Sequence, residues 1–323
     1  MHIPDGFLDT KTVVATASLS AFGLGVAWHK TRKEMPAQRI PLLGLSAAFV
    51  FAAQMLNFPV AGGTSGHLMG AVLTSVLLGP SASVIVITSV LIVQCFLFAD
   101  GGVLALGANI FNMAIIGSMS GYWFYRLVSR LVSGEIGRMV GIIFASWCSV
   151  VLASMCCAGE LAWSNTVAAG TVFPAMIGVH ALIGLGEGVI TVLVVTAIGK
   201  ARPDLLKTTS DAPSSHSYRD IIVYGSLVAV GIVLFVTPFA SPWPDGLGKV
   251  AATLGFDRKV LQNPALPSLI PDYRFLGIGS APIATVVGGV IGVVVVFLLS
   301  LVLATTLSRK SSSHPSPDPP QRH

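Results

Sequence analysis

Long apolar runs dominate the sequence and restrict the folds it can adopt. Of its 323 residues, 53% are hydrophobic and only 10% are charged, whereas soluble globular domains carry about 25% charged residues. A helix needs about 20 apolar residues to cross the hydrocarbon core of a bilayer. We therefore predict an all-α integral membrane protein that passes several times through the cell inner (cytoplasmic) membrane.

Apolar segments in the sequence predict about nine transmembrane helices. They lie at about 12–28, 40–58, 67–78, 81–99, 103–128, 139–158, 173–198, 221–240 and 283–307. The third segment is too short to span the membrane and follows a glycine-rich loop. It therefore indicates a re-entrant or broken element, which is tolerated where protein buries it or where it lines a cavity.

Polar stretches divide the chain into parts. We predict a seven-helix unit over residues 1–200, a cytoplasmic linker at 201–219 and a two-helix accessory module at 220–307. The module carries an outside loop at 241–282, and a disordered tail follows at 308–323.

Loop charges predict the orientation. If the amino terminus lies outside, most of the 19 Lys and Arg residues fall in cytoplasmic loops or the carboxyl-terminal tail, as the positive-inside rule requires. This arrangement places the carboxyl terminus inside. Basic cytoplasmic loops also account for the net charge of +5. We therefore expect membrane lipid around the protein and no nucleic acid as a partner.

The four cysteines do not suggest a metal site or a disulfide framework. They have no CxxC spacing and lie in or near apolar segments, so we interpret them as small buried hydrophobic residues. They are Cys95, Cys148, Cys156 and Cys157.

The first residues, MHIPDGFLDT, carry the clearest chemical signal. This start lacks the basic region of a signal peptide, so we expect it to stay on the protein. The Met1 amine and the His2 amide nitrogen close a five-membered ring on a metal, and that amide and the His2 imidazole close a six-membered ring. His67, in an outside loop, can supply a fourth nitrogen. Four nitrogens in a square suit Ni(II) or Cu(II).

Simpler interpretations of these residues stay open. His2 can be an incidental terminal residue, and His67 can form a backbone hydrogen bond within its Gly-Thr-Ser-Gly-His turn. His180 and Glu187 lie seven residues apart on one helix face, where they can orient a ligand or hold helices together. Other residues considered for indirect support are Ser65 and Asn109, whereas Asp100 is interpreted as part of a loop turn.

Four motifs in order resemble the nickel/cobalt substrate-binding membrane (S) components of energy-coupling factor (ECF) transporters, the NikM/CbiM family. They are MHIPDGFL, GTSGHLMG at 63–70, ADGGVLALGAN at 99–109 and HALIGLGEG at 180–188. The resemblance implies nickel or cobalt uptake and a seven-helix S component. It also implies metal coordination by Met1, His2 and the residue that matches His67.

Residues 220–307 resemble the accessory NikN/PDGLE-like module often fused to nickel-type S components. Its outside loop usually reads Pro-Asp-Gly-Leu-Glu, but Gly248 follows Leu247 here, which puts any role of that glutamate in doubt. The fusion favours Ni(II) over Co(II) as the transported substrate. The resemblance also implies a transmembrane coupling (T) subunit and two cytoplasmic ATPases as partners.

The sequence disfavours other functional classes. It contains no GxxxxGK[ST] phosphate loop, so we expect ATP hydrolysis in the separate partner subunits. We predict that this chain is not an enzyme and uses no cofactor. A membrane-embedded metalloenzyme needs an open metal position and a nearby general acid or base, and no HExxH motif occurs. A channel needs a continuous polar lining.

Overall fold

The apolar segments form helices in the computed structural model, which describes residues 1–36, 39–206, 218–261 and 266–307. The first half contains α1 (Thr10–Glu34), α2 (Ile40–Gln54), α3 (Ala71–Leu78), α4 (Pro80–Phe98), α5 (Leu106–Asn109) and α6 (Gly117–Leu131). A π-helix, Ile110–Ile116, joins α5 to α6. The second half contains α7 (Gly134–Trp163), α8 (Ala169–Ala201), α9 (Tyr218–Phe235), α10 (Gly246–Leu254) and α11 (Ala281–Leu307). Short 3-10 helices lie at Pro203–Leu206, Thr237–Phe239, Asp257–Lys259 and Pro271–Tyr273.

Helices long and apolar enough to cross a membrane are frequent in this fold. Among the described residues there are 6 of them: α1, α4, α7, α8, α11 and the stretch Ile222–Phe239 that contains most of α9. Their outer faces carry exposed apolar side chains such as Phe22, Leu193 and Leu227, as lipid-facing surfaces do. The protein is therefore a multi-pass membrane protein.

The segment between α2 and α4 differs from the all-α prediction. It contains a β-hairpin, in which β1 (Phe58–Val60) pairs antiparallel with β2 (Thr64–Gly66). The predicted helix at 40–58 ends at Gln54, and the short helix begins at Ala71 rather than at residue 67. Gly70 has a left-handed φ of 78°, so the helix cannot continue backward through it. The helix ends were misplaced because the apolar residues next to them have the same hydropathy as helix residues.

The carboxyl-terminal helices pack against the rest of the protein. α2 contacts both α9 and α11, while α10 contacts α8 and β2. α10 belongs to the predicted outside loop 241–282, which is therefore partly helical. Most of the predicted linker, residues 207–217, and the predicted tail, 308–323, lie outside the described residues.

The amino-terminal segment runs through the interior before α1 begins. Ile3 is fully buried, and its N–H and C=O both bond the side-chain amide of Asn109, at 2.8 and 3.1 Å. The Asp5 carboxylate accepts backbone N–H bonds from Val103, Leu104 and Ala105. These contacts fix the first residues against the stretch that leads into α5.

Replacing Asn109 tests this anchor. Asn109→Ala leaves two buried backbone groups of Ile3 without their partner, so the free energy of opening residues 1–8 should fall by about 1–3 kcal/mol. Hydrogen exchange of these amides should quicken accordingly. Asn57→Ala is the control, because the contact of Asn57 with Ser241 uses only its backbone carbonyl. Equal exchange in both variants would contradict the anchoring role.

Candidate metal centre

The amino group of Met1 is the point at which three distant parts of the chain meet. Its nitrogen lies 2.7 Å from Nε2 of His67 and 2.9 Å from a carboxylate oxygen of Asp245. His67 lies in the connection between β2 and α3, and Asp245 lies in the loop before α10. The contact between Met1 and His67 lies in the interior of the protein, since Met1 is only 8% exposed and His67 is 9% exposed.

The hydrogen bonds of His67 determine which ring nitrogen carries the proton. Nδ1 lies 3.2 Å from the carbonyl oxygen of Leu68, and a carbonyl only accepts. Nδ1 is therefore the protonated nitrogen of the neutral ring, and Nε2 presents a lone pair to the Met1 amine. This is the tautomer in which Nε2 can bind a metal.

The spacing between these two nitrogens suits a shared metal ion. In a square of nitrogens with bonds of about 2.0 Å, adjacent donors are about 2.8 Å apart. The Met1 nitrogen and His67 Nε2 are 2.7 Å apart, as neighbouring corners of such a square are. His67 also lies before α3 rather than in its first turn, so the partial positive charge of a helix amino terminus opposes a cation there less strongly.

The His2 ring lies beside His67, and each of its nitrogens is close to another side chain. The two rings stack with centroids 5.1 Å apart and an angle of 26° between their planes. His2 Nε2 is 3.2 Å from Oε1 of Gln94, and Nδ1 is 3.3 Å from a carboxylate oxygen of Asp100. Coordination of a metal by Nδ1 would therefore compete with its contact to Asp100.

Burial keeps both imidazoles neutral. Loss of solvent lowers the pKa of His2, although Asp100 opposes this shift. Burial and then the positive charge of the Met1 amine lower the pKa of His67 well below its usual value. Burial alone would raise the pKa of Asp245, but the Met1 ammonium and the hydrogen bond from the Gly248 N–H outweigh it and the net pKa is lowered. The Asp245 carboxylate is therefore ionised over the physiological pH range.

Asp245 also caps α10, which explains how the loop keeps its shape without the usual glutamate. Its carboxylate accepts the N–H of Gly248 at 2.7 Å, the bond expected of an N-cap residue. Gly248 occupies the third helical position, where a glutamate would reach back to the N–H of the cap residue. This chain lacks that reciprocal bond but retains the cap.

The other predicted residues lie around this centre in different roles. Ser65 donates to the carbonyls of Trp243 and Pro244, and so holds the hairpin against the loop of Asp245. Asn109 binds Ile3, as described above. Glu187 accepts the N–H groups of Met69 and Gly70, which fixes the connection that carries His67. His180 faces a cavity beside this centre.

Several contact residues were missed by the sequence analysis. Asp100, interpreted there as part of a turn, contacts His2 and accepts a hydrogen bond from Tyr273. Asp245 and Gln94 were not singled out. The sequence offered only a shared placement on the predicted outer side of the membrane, which does not determine which loops touch. No group of three or more His, Cys, Asp or Glu side chains in the described ranges can hold a metal, so any metal here needs main-chain nitrogens as well.

Neutralising Asp245 tests the ion pair. Asp245→Asn keeps a good N-cap for α10 but removes the charge that faces the Met1 ammonium. We expect residues 1–8 to open more easily by about 2 kcal/mol, with α10 protected as before, in hydrogen-exchange measurements. Asp272→Asn removes the same charge from an exposed position of the same loop and should have no effect. If the two variants exchange alike, the ion pair does not hold the amino terminus.

Comparison with known proteins identifies the family. The family model for the cobalt uptake substrate-specific transmembrane region (CbiM) matches residues 2–205, and the PDGLE domain matches 219–309. The chain is 37% identical to the "Putative fused nickel transport protein NikMN" of Archaeoglobus fulgidus, over 94% of this chain and 98% of that one. It is 30% identical to the "Fused nickel transport protein NikMN" of Rhodobacter capsulatus, over 92% of this chain and 95% of that one.

A crystal structure of a truncated transition metal transporter matches with a TM-score of 0.56 and 35% identity, covering 62% of this chain and 99% of that one. The chain therefore belongs to the NikM/CbiM family and carries a fused PDGLE module.

Proposed function

We propose that this protein is the substrate-binding component of an ATP-driven ECF transporter that takes up nickel with high affinity. The observation that carries the proposal is the Met1 nitrogen 2.7 Å from His67 Nε2, with the His2 ring stacked beside them. The ligand set is the Met1 amine, the His2 amide nitrogen, the His2 imidazole and His67 Nε2.

Nickel is the preferred substrate on chemical grounds. Late divalent metals promote the loss of an amide proton, and a square of nitrogens suits Ni(II) better than it suits zinc, which prefers a tetrahedron. The two fused relatives described above are named for nickel transport. Cobalt is the second candidate, since other members of the family are named cobalt transport proteins.

Transport requires partners and a defined orientation. Metal enters the site from the outside, and reorientation coupled to ATP hydrolysis releases it into the cytoplasm. A transmembrane coupling subunit and two cytoplasmic ATPases supply this energy, because the chain has no phosphate loop. The amino terminus faces outside in the inner membrane, residues 1–200 form the S component and 220–307 form the accessory module. Its loop holds the amino-terminal segment through Asp245.

Replacing His2 tests the chelate. His2→Ala removes the imidazole and with it the six-membered ring, while leaving the helices intact. We expect a loss of Ni(II) affinity of about 100-fold or more in calorimetry, and loss of ATP-dependent nickel uptake in cells that contain the partner subunits. His67→Ala should also lower the Ni(II) affinity and the nickel uptake.

His29→Ala is the matched control, since His29 lies exposed near the end of α1. It should bind and transport nickel normally. Unchanged affinity and metal preference in the His2→Ala variant would reject the amino-terminal site. Nickel flux without ATP would favour a channel, and metal-dependent hydrolysis would favour an enzyme.

Proton release provides an independent test. The Met1 ammonium and the His2 amide must each lose a proton when the metal binds, whereas the two imidazoles are already neutral at pH 7 because burial lowers their pKa. Calorimetry in buffers of different ionisation enthalpy should therefore give about two protons released per Ni(II). The affinity should fall by up to about 100-fold per pH unit as the solution is acidified. A count of about one would remove the amide nitrogen from the ligand set.

A further inference from the structure

The imidazole of His2 faces an oxygen acceptor at each of its two nitrogens. Nδ1 lies 3.3 Å from a carboxylate oxygen of Asp100, and Nε2 lies 3.2 Å from the side-chain oxygen of Gln94. A neutral imidazole carries its single proton on one nitrogen and a lone pair on the other. The neutral ring can therefore donate to only one of these two acceptors at a time.

Metal binding changes which acceptor the ring can use. A hydrogen bond to a carboxylate is roughly twice as strong as one between neutral groups, so Nδ1 carries the proton while it faces Asp100. The six-membered ring of the proposed chelate uses Nδ1, so the proton must then lie on Nε2. Gln94 already presents an oxygen to Nε2, and an acceptor at this place is what a metal-bound imidazole requires.

The end of α4 holds Gln94 and Asp100 on one short turn. The main-chain carbonyl of Gln94 accepts the N–H of Ala99, which has a left-handed φ of 56°, and the N–H of Asp100 at 3.0 Å. The side chain of Gln94 is fully buried. In the described part of the chain, Gln94 is the one hydrogen-bond partner of His2 Nε2. A single turn thus supplies both partners of the ring.

Tyr273 of the accessory module holds the Asp100 carboxylate from the other side. Its hydroxyl donates to the second carboxylate oxygen, and its ring stacks on Phe98 with centroids 4.6 Å apart. Asp272 and Tyr273 both have left-handed φ values, 52° and 61°, which costs free energy in residues other than glycine. The accessory module therefore reaches the site through this strained turn as well as through its ion pair with the amino terminus.

We propose that Asp100 and Gln94 position the His2 ring in turn: Asp100 accepts the N–H of Nδ1 before the metal binds, and Gln94 accepts the N–H of Nε2 once Nδ1 has bound Ni(II). Tyr273 keeps Asp100 in the first of these contacts. This role rests on the proposed function, because it requires Nδ1 to be a nickel ligand. The ring loses a proton at one nitrogen and gains one at the other, so the release of about two protons per Ni(II) is unchanged.

Replacing Gln94 tests the second contact. Gln94→Met keeps the length of the side chain but leaves the N–H of a nickel-bound ring without an acceptor. We expect calorimetry of the full-length protein with Ni(II) to show a loss of affinity of at least about tenfold. Gln94→Glu keeps an accepting oxygen at the same length and should bind Ni(II) as tightly as the unmodified chain.

Nitrogen NMR of the imidazoles gives a readout that a purely structural role would not change. In full-length protein with isotope-labelled histidine, the His2 resonances are identified by their absence from His2→Ala. They should show the proton on Nδ1 without metal and on Nε2 with Ni(II), which is diamagnetic in a square of four nitrogens.

The same spectra test the part played by the accessory module. Tyr273→Phe keeps the stacked ring but removes the hydroxyl that fixes Asp100, so the metal-free His2 ring should shift toward the tautomer with the proton on Nε2. Tyr224→Phe removes a hydroxyl from an exposed position of α9 and is the matched control. It should leave the His2 resonances unchanged.

The two proposals fail in different ways. If the unmodified chain does not bind Ni(II), the proposed function itself is wrong. If it binds Ni(II) but Gln94→Met binds as tightly, or if the proton lies on the same nitrogen with and without metal, the alternation is rejected. Protons on both nitrogens of the metal-free ring would also reject it, since an imidazolium donates to both acceptors at once. Unchanged His2 resonances in Tyr273→Phe would exclude the accessory module from positioning the ring.

Discussion

The ammonium group of Met1, held between His67 and Asp245, is the interaction on which the rest of the site depends. A charge this deeply buried is tolerated only when it is paired and hydrogen-bonded, and here both conditions are met at 2.7 and 2.9 Å. Satisfying them requires the β2–α3 connection and the loop before α10 to converge on the end of the chain. Ser65, Asn109 and Glu187 keep those pieces in place through backbone hydrogen bonds.

This dependence gives the fused module a physical role. Asp245 belongs to the PDGLE region, yet its ion-pair partner is Met1, directly before the first residue of the CbiM region. The same carboxylate caps α10, so the position of the charge is determined by a short helix that packs on α8 and β2. Through this ion pair, the loop before α10 holds the amino-terminal segment in place.

Sequence reasoning succeeded where the physics is local. Helix positions follow from runs of apolar residues. The chelating potential of Met1 and His2, which follows from the bonds between them, stays a prediction. Sequence reasoning failed where the outcome depends on which loops touch: Gln94 and Asp100 lie far along the sequence from both Met1 and Asp245, and no periodicity links them. The hairpin at 58–66 was missed because two strands of three residues are too short to give a recognisable alternation.

The proposed chemistry conserves charge at the buried centre. In the described structure, Asp245 faces an ammonium with one positive charge. A divalent metal bound to a neutral amine, two neutral imidazoles and one deprotonated amide also carries a net charge of about +1. Exchange of protons for metal therefore leaves Asp245 with a partner of the same charge, and the desolvated carboxylate pays no new electrostatic penalty. Without amide deprotonation the centre would carry twice that charge beside a single carboxylate, so the amidate matches the electrostatics of this pocket as well as the geometry of the metal.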